Sequence, residues 1–327
     1  MSGPTLGATN SGLAWAIGAS ICMLHVFSPI DCIRIVVAEE PKEPRIEDVT
    51  FVASCDGTEQ KYVLLYPPGF DSTRSCSLLI ALHGHGSDRW QFIQQPRDEC
   101  RAVREVAAVH GLLLVSPDYR ASTSWMGPKA ESDLLQIIRS LKERLSIDRV
   151  ILCGGSMGGT GALTFTALHP DLIDGVVSLN GTANLVEYEG FFDAIAESFG
   201  GTRSDIPNEY RKRSAEFFPE KFQVPIACTT GGQDTIVPPD SVLRLLKEIT
   251  RHNPHVLNLH RPSRLGIRRG THRREGYPGS YSVRCENDQA PLVSFRQSVL
   301  RGRDHLGPRR IANRRKKSTT PGASGRW

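Results

Sequence analysis

Short apolar runs alternate with longer amphipathic stretches between Thr50 and His260. The runs are rich in Val, Ile and Leu and are bounded by Gly, Pro or Asp, which predicts strands. They are Tyr62–Tyr66, Leu78–Leu82, Leu112–Ser116, Val150–Cys153, Gly175–Leu179, Val224–Thr229 and His255–His260. Most of the stretches between them carry apolar residues three and four apart, which predicts helices. We expect one α/β domain: a mostly parallel sheet with helices on both faces. Its start should be antiparallel, because no helix separates the first two runs.

Charge divides the chain into two unlike parts. The 327 residues carry 40 Lys and Arg against 35 Asp and Glu, a net charge of +5. Residues 1–260 carry 23 basic against 31 acidic side chains, whereas residues 261–327 carry 17 against 4. Length and the 39% hydrophobic content fit a globular protein and exclude a collagen, a coiled coil and a disulfide-dense mini-scaffold. The predicted organisation is therefore a leader at 1–38, a domain at 39–260 and a basic tail at 261–327.

The leader at 1–38 is predicted to be a signal peptide. Its apolar stretch, 12–27, is too short and too interrupted by Gly and His25 for a membrane span of roughly 20 residues. Small residues at 36–38 are typical of a cleavage site, although no Lys or Arg precedes the apolar stretch. We expect a secreted or periplasmic protein. The alternatives are an unprocessed anchor, or a true start at Met23 and a cytoplasmic protein.

The tail at 261–327 has the composition of a low-order segment. Only 10 of its 67 residues are Leu, Ile, Val or Phe, and no helical or strand periodicity runs through it. One interpretation is a basic arm for nucleic acid, since Arg314–Lys317 resembles a polybasic patch. The favoured alternative is a solvated tail without a partner, because charge runs alone specify little. No nucleic-acid partner is therefore expected.

A serine between glycines follows the predicted strand Val150–Cys153. The sequence GGSMG at 154–158 has the G-x-S-x-G pattern, with a strand before it and the helical pattern Ala162–Leu168 after it. A sharp turn of this kind presents the serine at a helix N-terminus, whose N–H groups and dipole favour a developing oxyanion. A phosphate-binding loop would need Lys at position 160, where Thr stands. Ser156 is thus the candidate nucleophile, and a merely tight turn is the alternative.

A His-Gly-His sequence follows the predicted strand Leu78–Leu82. In this setting the backbone N–H of Gly84 or His85 would be one oxyanion donor, and that of Met157 the other. Metal binding by His83 and His85 is the competing interpretation. It is disfavoured because no carboxylate or third histidine stands nearby in ligand spacing. We expect His83 to brace the loop by hydrogen bonds.

Asp234 follows the predicted strand Val224–Thr229 and is the candidate triad acid. In the chain order Ser, Asp, His, an acid at this place orients the imidazole of the base. The alternative is a turn or helix-cap residue. The base is harder to place, because neither a Gly-His turn nor a helix follows the last predicted strand. His272 is the candidate by its distance in sequence, while the histidines at 252–260 lie before or within that strand and are expected to be structural.

Four motifs together resemble the α/β-hydrolase superfamily. They are LHGHG at 82–86, SPDYR at 116–120, GGSMGG at 154–159 and GGQDTIVPP at 231–239. The chain is similar in particular to secreted bacterial esterases related to polyhydroxybutyrate depolymerases, feruloyl esterases, and dienelactone or prolyl-peptidase-like hydrolases. The similarity covers about residues 49–262. It implies a sheet of about eight strands, Ser156 as nucleophile, Asp234 as acid and a histidine after the last strand. There the sequence departs from the pattern, and the C-terminal helix is missing or replaced by a disordered tail.

This departure coincides with the change in composition and motivates the hypothesis of a shifted reading frame. Residues 266–269, Gly-Ile-Arg-Arg, can be back-translated as GGC ATT CGA CGN. Read from the third base, the same nucleotides encode His-Ser-Thr. That is a His-x-Thr turn at the position where the family places its base.

The resulting expectation is a serine hydrolase that cleaves carboxylic esters, small or linked to a polysaccharide, without metal or organic cofactor. A serine peptidase would use the same residues. A hydrolase-like protein that lacks its histidine, and a binding protein acting through its basic arm, are the remaining alternatives. Tyr119, Trp125 and Met126 lie near the end of a predicted strand, where they either line the substrate pocket or belong to the core.

Overall fold

The computed structural model describes residues 44–263, 268–269 and 281–282, and an eight-stranded sheet is its centre. The strands are β1 (Ile46–Val52), β2 (Glu59–Leu65), β3 (Cys76–Leu82), β4 (Leu113–Pro117), β5 (Ile147–Gly155), β6 (Gly175–Leu179), β7 (Ile226–Gly231) and β8 (Asn258–Ser263). The predicted apolar runs correspond to β2 through β8. Strand β1 is not among them, because its side chains alternate between exposed and half-buried positions and form no apolar run.

Helices connect most of the parallel strands. They are α1 (Gln91–Gln94), α2 (Asp98–His110), α3 (Pro128–Arg144), α4 (Met157–Leu168), α5 (Phe192–Phe199), α6 (Pro207–Lys212) and α7 (Asp240–His252). Local chemistry sets several of their ends. Helix α3 begins with Pro128, whose fixed φ suits the first helical position. Helix α2 ends at Gly111, which takes a left-handed conformation with φ of 63°.

The strand order across the sheet is β1-β2-β4-β3-β5-β6-β7-β8. Strand β2 runs antiparallel to both of its neighbours, β1 and β4. Every pairing from β4 through β3 to β8 is parallel. The structure therefore confirms the prediction of a mostly parallel sheet with an antiparallel start.

Two hydrophobic cores lie on opposite faces of the sheet. On β3, Leu78, Ile80 and Leu82 belong to the core that packs against α3, α4 and α7. The intervening Leu79 and Ala81 belong to the core that packs against α1 and α2. This alternation follows from the two-residue period of a strand, and both faces being buried explains why the strands are continuously apolar.

The last strand of the sheet extends beyond the predicted end of the domain. Strand β8 pairs in parallel with β7 through Arg261 and Ser263, three residues past His260. Further along, β9 (Arg268–Arg269) and β10 (Tyr281–Ser282) pair antiparallel, which no periodicity in the sequence indicates. Two predictions fall on residues that the structure does not describe. They are the signal peptide at 1–38, and the absence of a C-terminal helix in the rest of the basic tail. Among the residues that the structure describes, none of the helices has the length and hydrophobicity of a membrane span.

Candidate active site

The predicted site residues lie at one edge of the sheet. Strands β3, β5, β6 and β7 are successive neighbours and run parallel, so their carboxyl ends meet at that edge. His83 and Gly84 follow β3, Ser156 follows β5, and Asp234 lies three residues after β7. Ligands and reacting groups collect at this edge in open α/β sheets. We call the loop that begins at His83 and Gly84 the oxyanion loop, after the role predicted for it. The topology thus brings the candidate nucleophile, the oxyanion loop and the candidate acid to one end of the sheet.

Ser156 lies on a strained turn between β5 and α4. Its backbone has φ of 55° and ψ of −118°, a left-handed φ that residues with a Cβ rarely adopt. Such strain costs about 1–3 kcal/mol and persists only where the surroundings impose it. The Ser156 N–H donates to the carbonyl oxygen of Leu179 at 2.8 Å, and its own carbonyl accepts from Thr160 N–H at 2.9 Å. These bonds tie the turn to β6 on one side and to α4 on the other.

Two glycines are required beside Ser156 because backbone lies where their side chains would stand. A Cβ on Gly154 would come within 2.4 Å of the Gly158 backbone. A Cβ on Gly158 would come within 1.9 Å of the carbonyl oxygen of Leu82. At Gly155, in contrast, a Cβ would meet no atom within 4 Å. The close approach of α4 to β3 therefore accounts for the outer glycines of the G-x-S-x-G pattern.

Gly84 lies directly against Ser156, since a Cβ on Gly84 would stand 4.0 Å from the Ser156 Cβ. The Gly84 N–H is already engaged, because it donates to Oε1 of Gln91 at 2.9 Å. Within residues 44–263, the N–H of His85 has no hydrogen-bond acceptor. The N–H of Met157 belongs to the first turn of α4, where no intrahelical acceptor exists. Of the two predicted loop donors, His85 rather than Gly84 thus keeps its N–H available.

His83 braces the oxyanion loop, as the sequence predicts. Its side chain is fully buried, with Nδ1 2.9 Å from the carbonyl oxygen of Gly84 and Nε2 3.2 Å from that of Asp118. Tyr119 donates its hydroxyl to the carbonyl oxygen of His83 at 2.6 Å. Burial lowers the pKa of His83 and keeps the imidazole neutral. Because a carbonyl faces each ring nitrogen, neither nitrogen is presented to a metal ion.

Asp234 is buried, and the backbone of its own turn orients its carboxylate. Its Oδ1 accepts from the N–H groups of Ile236 at 2.9 Å and Val237 at 2.8 Å. Its N–H donates to the carbonyl oxygen of Gly231 at 3.0 Å. These bonds match the alternative of a turn residue, and they equally fix the carboxylate as an orienting acid requires. The geometry of the turn is compatible with both interpretations.

The candidate base, His272, lies outside the described residues. His260 lies within β8, as expected for a structural residue, and its Nε2 is 2.8 Å from the hydroxyl of Thr230. Burial lowers its pKa. Strand β8, with Ser263 as its last residue, pairs with β7, the strand that leads to Asp234.

An aromatic cluster adjoins the oxyanion loop, and its members are His85, Trp125, Tyr188 and Phe191. The ring of Phe191 lies 4.3 Å from that of His85 and 5.2 Å from that of Trp125, while Tyr188 lies 5.7 Å from Trp125. Trp125 is fully buried and belongs to the core as well as to this cluster. The sequence singles out Trp125 but not Tyr188 or Phe191, because the long loop after β6 carries no motif.

A cavity of about 460 Å³ lies beside the aromatic cluster. Tyr188 and Phe191 line it from the loop after β6, and Thr235 and Ile236 line it from the turn that contains Asp234. The size falls within the usual range for a small-molecule pocket. The aromatic cluster therefore connects the oxyanion loop to a pocket bordered by the acid turn.

The comparisons with known proteins agree with this topology. A family model described as the alpha/beta hydrolase fold matches residues 78–226. A fluorophosphonate-binding serine hydrolase of Staphylococcus aureus is similar at 15% identity over 79% of this chain and 97% of its own, with a TM-score of 0.56. An S-formylglutathione hydrolase of Agrobacterium tumefaciens matches at 15% identity over 67% of this chain and 86% of its own, with a TM-score of 0.53.

An acylaminoacyl peptidase of Pyrococcus horikoshii is similar at 16% identity over 68% of this chain, with a TM-score of 0.53, and here the chain spans only 37% of the peptidase. No curated protein matches the sequence. At these identities the solved structures establish the fold and not the substrate. The strand order, the strained serine between β5 and α4 and the matched family model together show that this chain has the alpha/beta hydrolase fold.

Proposed function

We propose that this protein is a serine hydrolase that cleaves carboxylic esters through a covalent acyl-enzyme. The observation that carries the proposal is the backbone of Ser156, held at φ of 55° on the turn between β5 and α4 by packing that leaves room only for glycine at 154 and 158. Backbone strain of this kind costs free energy and is concentrated at functional sites, and a strained serine between a strand and a helix is the geometry of a nucleophile elbow.

In the proposed mechanism, the Ser156 hydroxyl attacks the ester carbonyl while a histidine takes its proton. The oxyanion accepts hydrogen bonds from the backbone N–H groups of Met157 and His85. Collapse of the intermediate expels the alcohol, which receives the proton from the histidine, and an acyl-serine remains. Water then repeats the sequence on the acyl-serine and releases the acid. The backbone donors are the largest expected source of transition-state stabilisation.

Asp234 is assigned the role of the acid that orients this histidine. Two backbone N–H groups hold its Oδ1, and we assign its carboxylate as the acceptor for the imidazole. The base is assigned to His272, in the segment that follows β8. The carboxyl end of β8 pairs with that of β7, which favours a base from the residues that follow β8 over any histidine elsewhere in the chain.

A fluorophosphonate probe tests the nucleophile on the full chain. We expect labelling of the wild-type protein, no labelling of Ser156→Ala, and undiminished labelling of Ser54→Ala, an exposed serine between β1 and β2. Wild-type protein that folds but is not labelled would contradict the proposal and favour a hydrolase-like protein without activity.

Hydrolysis of an aryl ester and of a peptide then separates an esterase from a peptidase. Asp234→Asn should lower kcat by about 10⁴-fold, because the carboxamide favours the wrong imidazole tautomer. Faster turnover of the peptide would overturn the assignment to esters.

A further inference from the structure

The imidazole of His85 has a defined tautomer. The Nε1–H of Trp125 donates to Nδ1 of His85 across 3.2 Å. Because Nδ1 is the acceptor of this bond, it carries no proton, and a neutral imidazole must then carry its proton on Nε2. Burial lowers the pKa of His85, so the ring is neutral near pH 7. Nε2–H is therefore a hydrogen-bond donor, and His85 is not arranged as a general base.

The Nε2–H group of His85 has no acceptor within residues 44–263, although the side chain is half-buried. Buried polar groups are normally hydrogen-bonded, and the Nε2 atom of His85 is not among the buried side-chain atoms that lack a partner, so this donor is accessible from solvent. His83, two residues earlier, shows the contrast, because a carbonyl oxygen lies near each of its ring nitrogens. Like the backbone N–H of His85, its side-chain Nε2–H is thus open to water or to a ligand, as far as residues 44–263 are concerned.

Two strained residues hold the rings that surround His85. Trp125 has φ of 43° and Phe191 has φ of 54°, and both are left-handed conformations that bulky residues avoid. The two come from different loops, after β4 and after β6, yet both place their rings against His85. Two independent strained positions around one imidazole indicate that its orientation is imposed by the fold.

His85 is also close to the nucleophile turn and to the cavity wall. It follows Gly84, which would place a Cβ 4.0 Å from the Ser156 Cβ. Its ring packs on Phe191, which lines the cavity of about 460 Å³. The His85 side chain therefore neighbours both the turn that carries Ser156 and the wall of the cavity.

From these contacts we propose that His85 is a substrate-binding residue, whose side-chain Nε2–H donates to an oxygen that the substrate carries beside its scissile ester. This inference rests on the proposed function. The inference deepens the proposed function by naming the substrate class: esters with a hydroxyl, ether or carbonyl oxygen a few bonds from the reacting carbonyl. The role is separate from that of the His85 backbone N–H, which serves the oxyanion.

Matched esters that differ only by an ether oxygen test the proposal. Methoxyacetate and butyrate esters of p-nitrophenol have the same shape, with an oxygen in place of a methylene group. Methoxyethyl acetate and butyl acetate form the corresponding pair on the alcohol side. The measurement is the kcat/KM of the ester with the extra ether oxygen divided by the kcat/KM of its hydrocarbon partner. This ratio is compared between wild type and variants, so that the intrinsic reactivity of the esters cancels.

In His85→Phe, which keeps a ring but loses the donor, the ratio of at least one pair should fall by about 2- to 10-fold, the value of one neutral hydrogen bond. In His85→Gln, whose amide can donate from near the Nε2 position, the ratio should largely recover. A merely structural role would lower kcat/KM for both esters of a pair alike. Unchanged ratios for both pairs in His85→Phe would overturn the proposal.

Trp125→Phe and NMR of the imidazole nitrogens provide a second readout. In the wild type we expect a protonated Nε2 and an unprotonated Nδ1, and in Trp125→Phe a mixture of tautomers together with a partial fall of the ratio. A wild-type Nδ1 that carries the proton would also overturn the proposal.

Fluorophosphonate labelling separates the two levels of inference. If the wild-type protein is not labelled, the proposed function fails. If it is labelled and the ester ratios do not respond to His85→Phe, only the role of His85 fails.

Discussion

The closest backbone approach at the site, between Gly158 and Leu82, gives the sharpest mutational prediction. A Cβ on Gly158 would lie 1.9 Å from the carbonyl oxygen of Leu82 and 2.7 Å from that of His83. Ordinary contacts of a Cβ begin near 3.4 Å, so α4 and β3 would have to separate by about 1.5 Å in Gly158→Ala. Both elements are buried and in contact with other strands, which leaves them little freedom to move.

Overpacking of a core by a single methyl group usually costs 1–3 kcal/mol, and here the obstacle is backbone instead of a side chain that could rotate. We therefore expect Gly158→Ala to lower the free energy of unfolding by about 3 kcal/mol or more. Gly155→Ala is the matched control, one position before Ser156, and it should change the free energy of unfolding by less than about 1 kcal/mol, because its Cβ meets no atom within 4 Å.

Urea unfolding followed by circular dichroism measures both variants under the same conditions. The rate of fluorophosphonate labelling of Ser156 adds a local readout. Displacing the oxyanion loop by 1 Å can cost about 10²-fold in rate, so Gly158→Ala should be labelled slowly even where it is folded. Equal free energies of unfolding for the two alanine variants would refute the argument that the approach of α4 to β3 dictates the glycine.

Two further predictions concern buried titratable groups. Burial raises the pKa of Asp133 to about 6 in spite of its ion pair with Arg120. A carboxyl whose folded pKa exceeds its unfolded value stabilises most at low pH. Its contribution should therefore decline by on the order of 3 kcal/mol as pH rises from about 4 to about 6, and Asp133→Asn should remove that slope from urea unfolding. A slope that persists in the variant would assign it to other groups. Cys55 is exposed, whereas Cys228 is buried and burial raises the pKa of its thiol to about 12. Iodoacetamide at neutral pH should modify Cys55 and spare Cys228 in the native protein, as peptide mapping would show, and equal modification would contradict the buried position.

The sheet and the nucleophile turn could be predicted because their signals are local. A strand buried on both faces must be apolar at nearly every position, so β3, β5 and β7 stand out from the sequence. The turn at Ser156 needs glycines at fixed spacing for a steric reason, and the structure shows the backbone atoms that impose it. Strand β1 could not be predicted because it is an edge strand that is half-exposed along its length and forms no apolar run. It is recognised as a strand only by its pairing with β2.

The surroundings of the nucleophile could not be predicted, because they depend on contacts between distant segments. The side chain of Gln91 accepts the hydrogen bond of the Gly84 N–H, which leaves the N–H of His85 as the available donor. Which of these two adjacent donors is engaged depends on where α1 packs. Trp125 and Phe191 meet His85 from two loops whose backbone conformations are unfavourable for their residue types. Local propensity argues against both conformations, and sequence reasoning tends to fail where strain is concentrated near a site.

The structure also constrains the hypothesis of a shifted reading frame. The change in charge begins at Arg261, but β8 continues in parallel register with β7 through Ser263, so the sheet does not end where the composition changes. Pro262 is compatible with this position because β8 lies at an edge of the eight-stranded sheet. A shift that preserved the sheet would have to fall after Ser263.

The nucleotides for residues 266–269 lie just beyond that point, where the family would place the segment that carries the base. The shifted frame would replace His272, so the hypothesis is an alternative to the assignment of that residue as base: it predicts that the gene encodes, in the alternative frame from codon 266 onward, a His-x-Thr turn followed by an amphipathic helix. A nucleotide sequence without both features in that frame would end the hypothesis and leave His272 as the base to be tested.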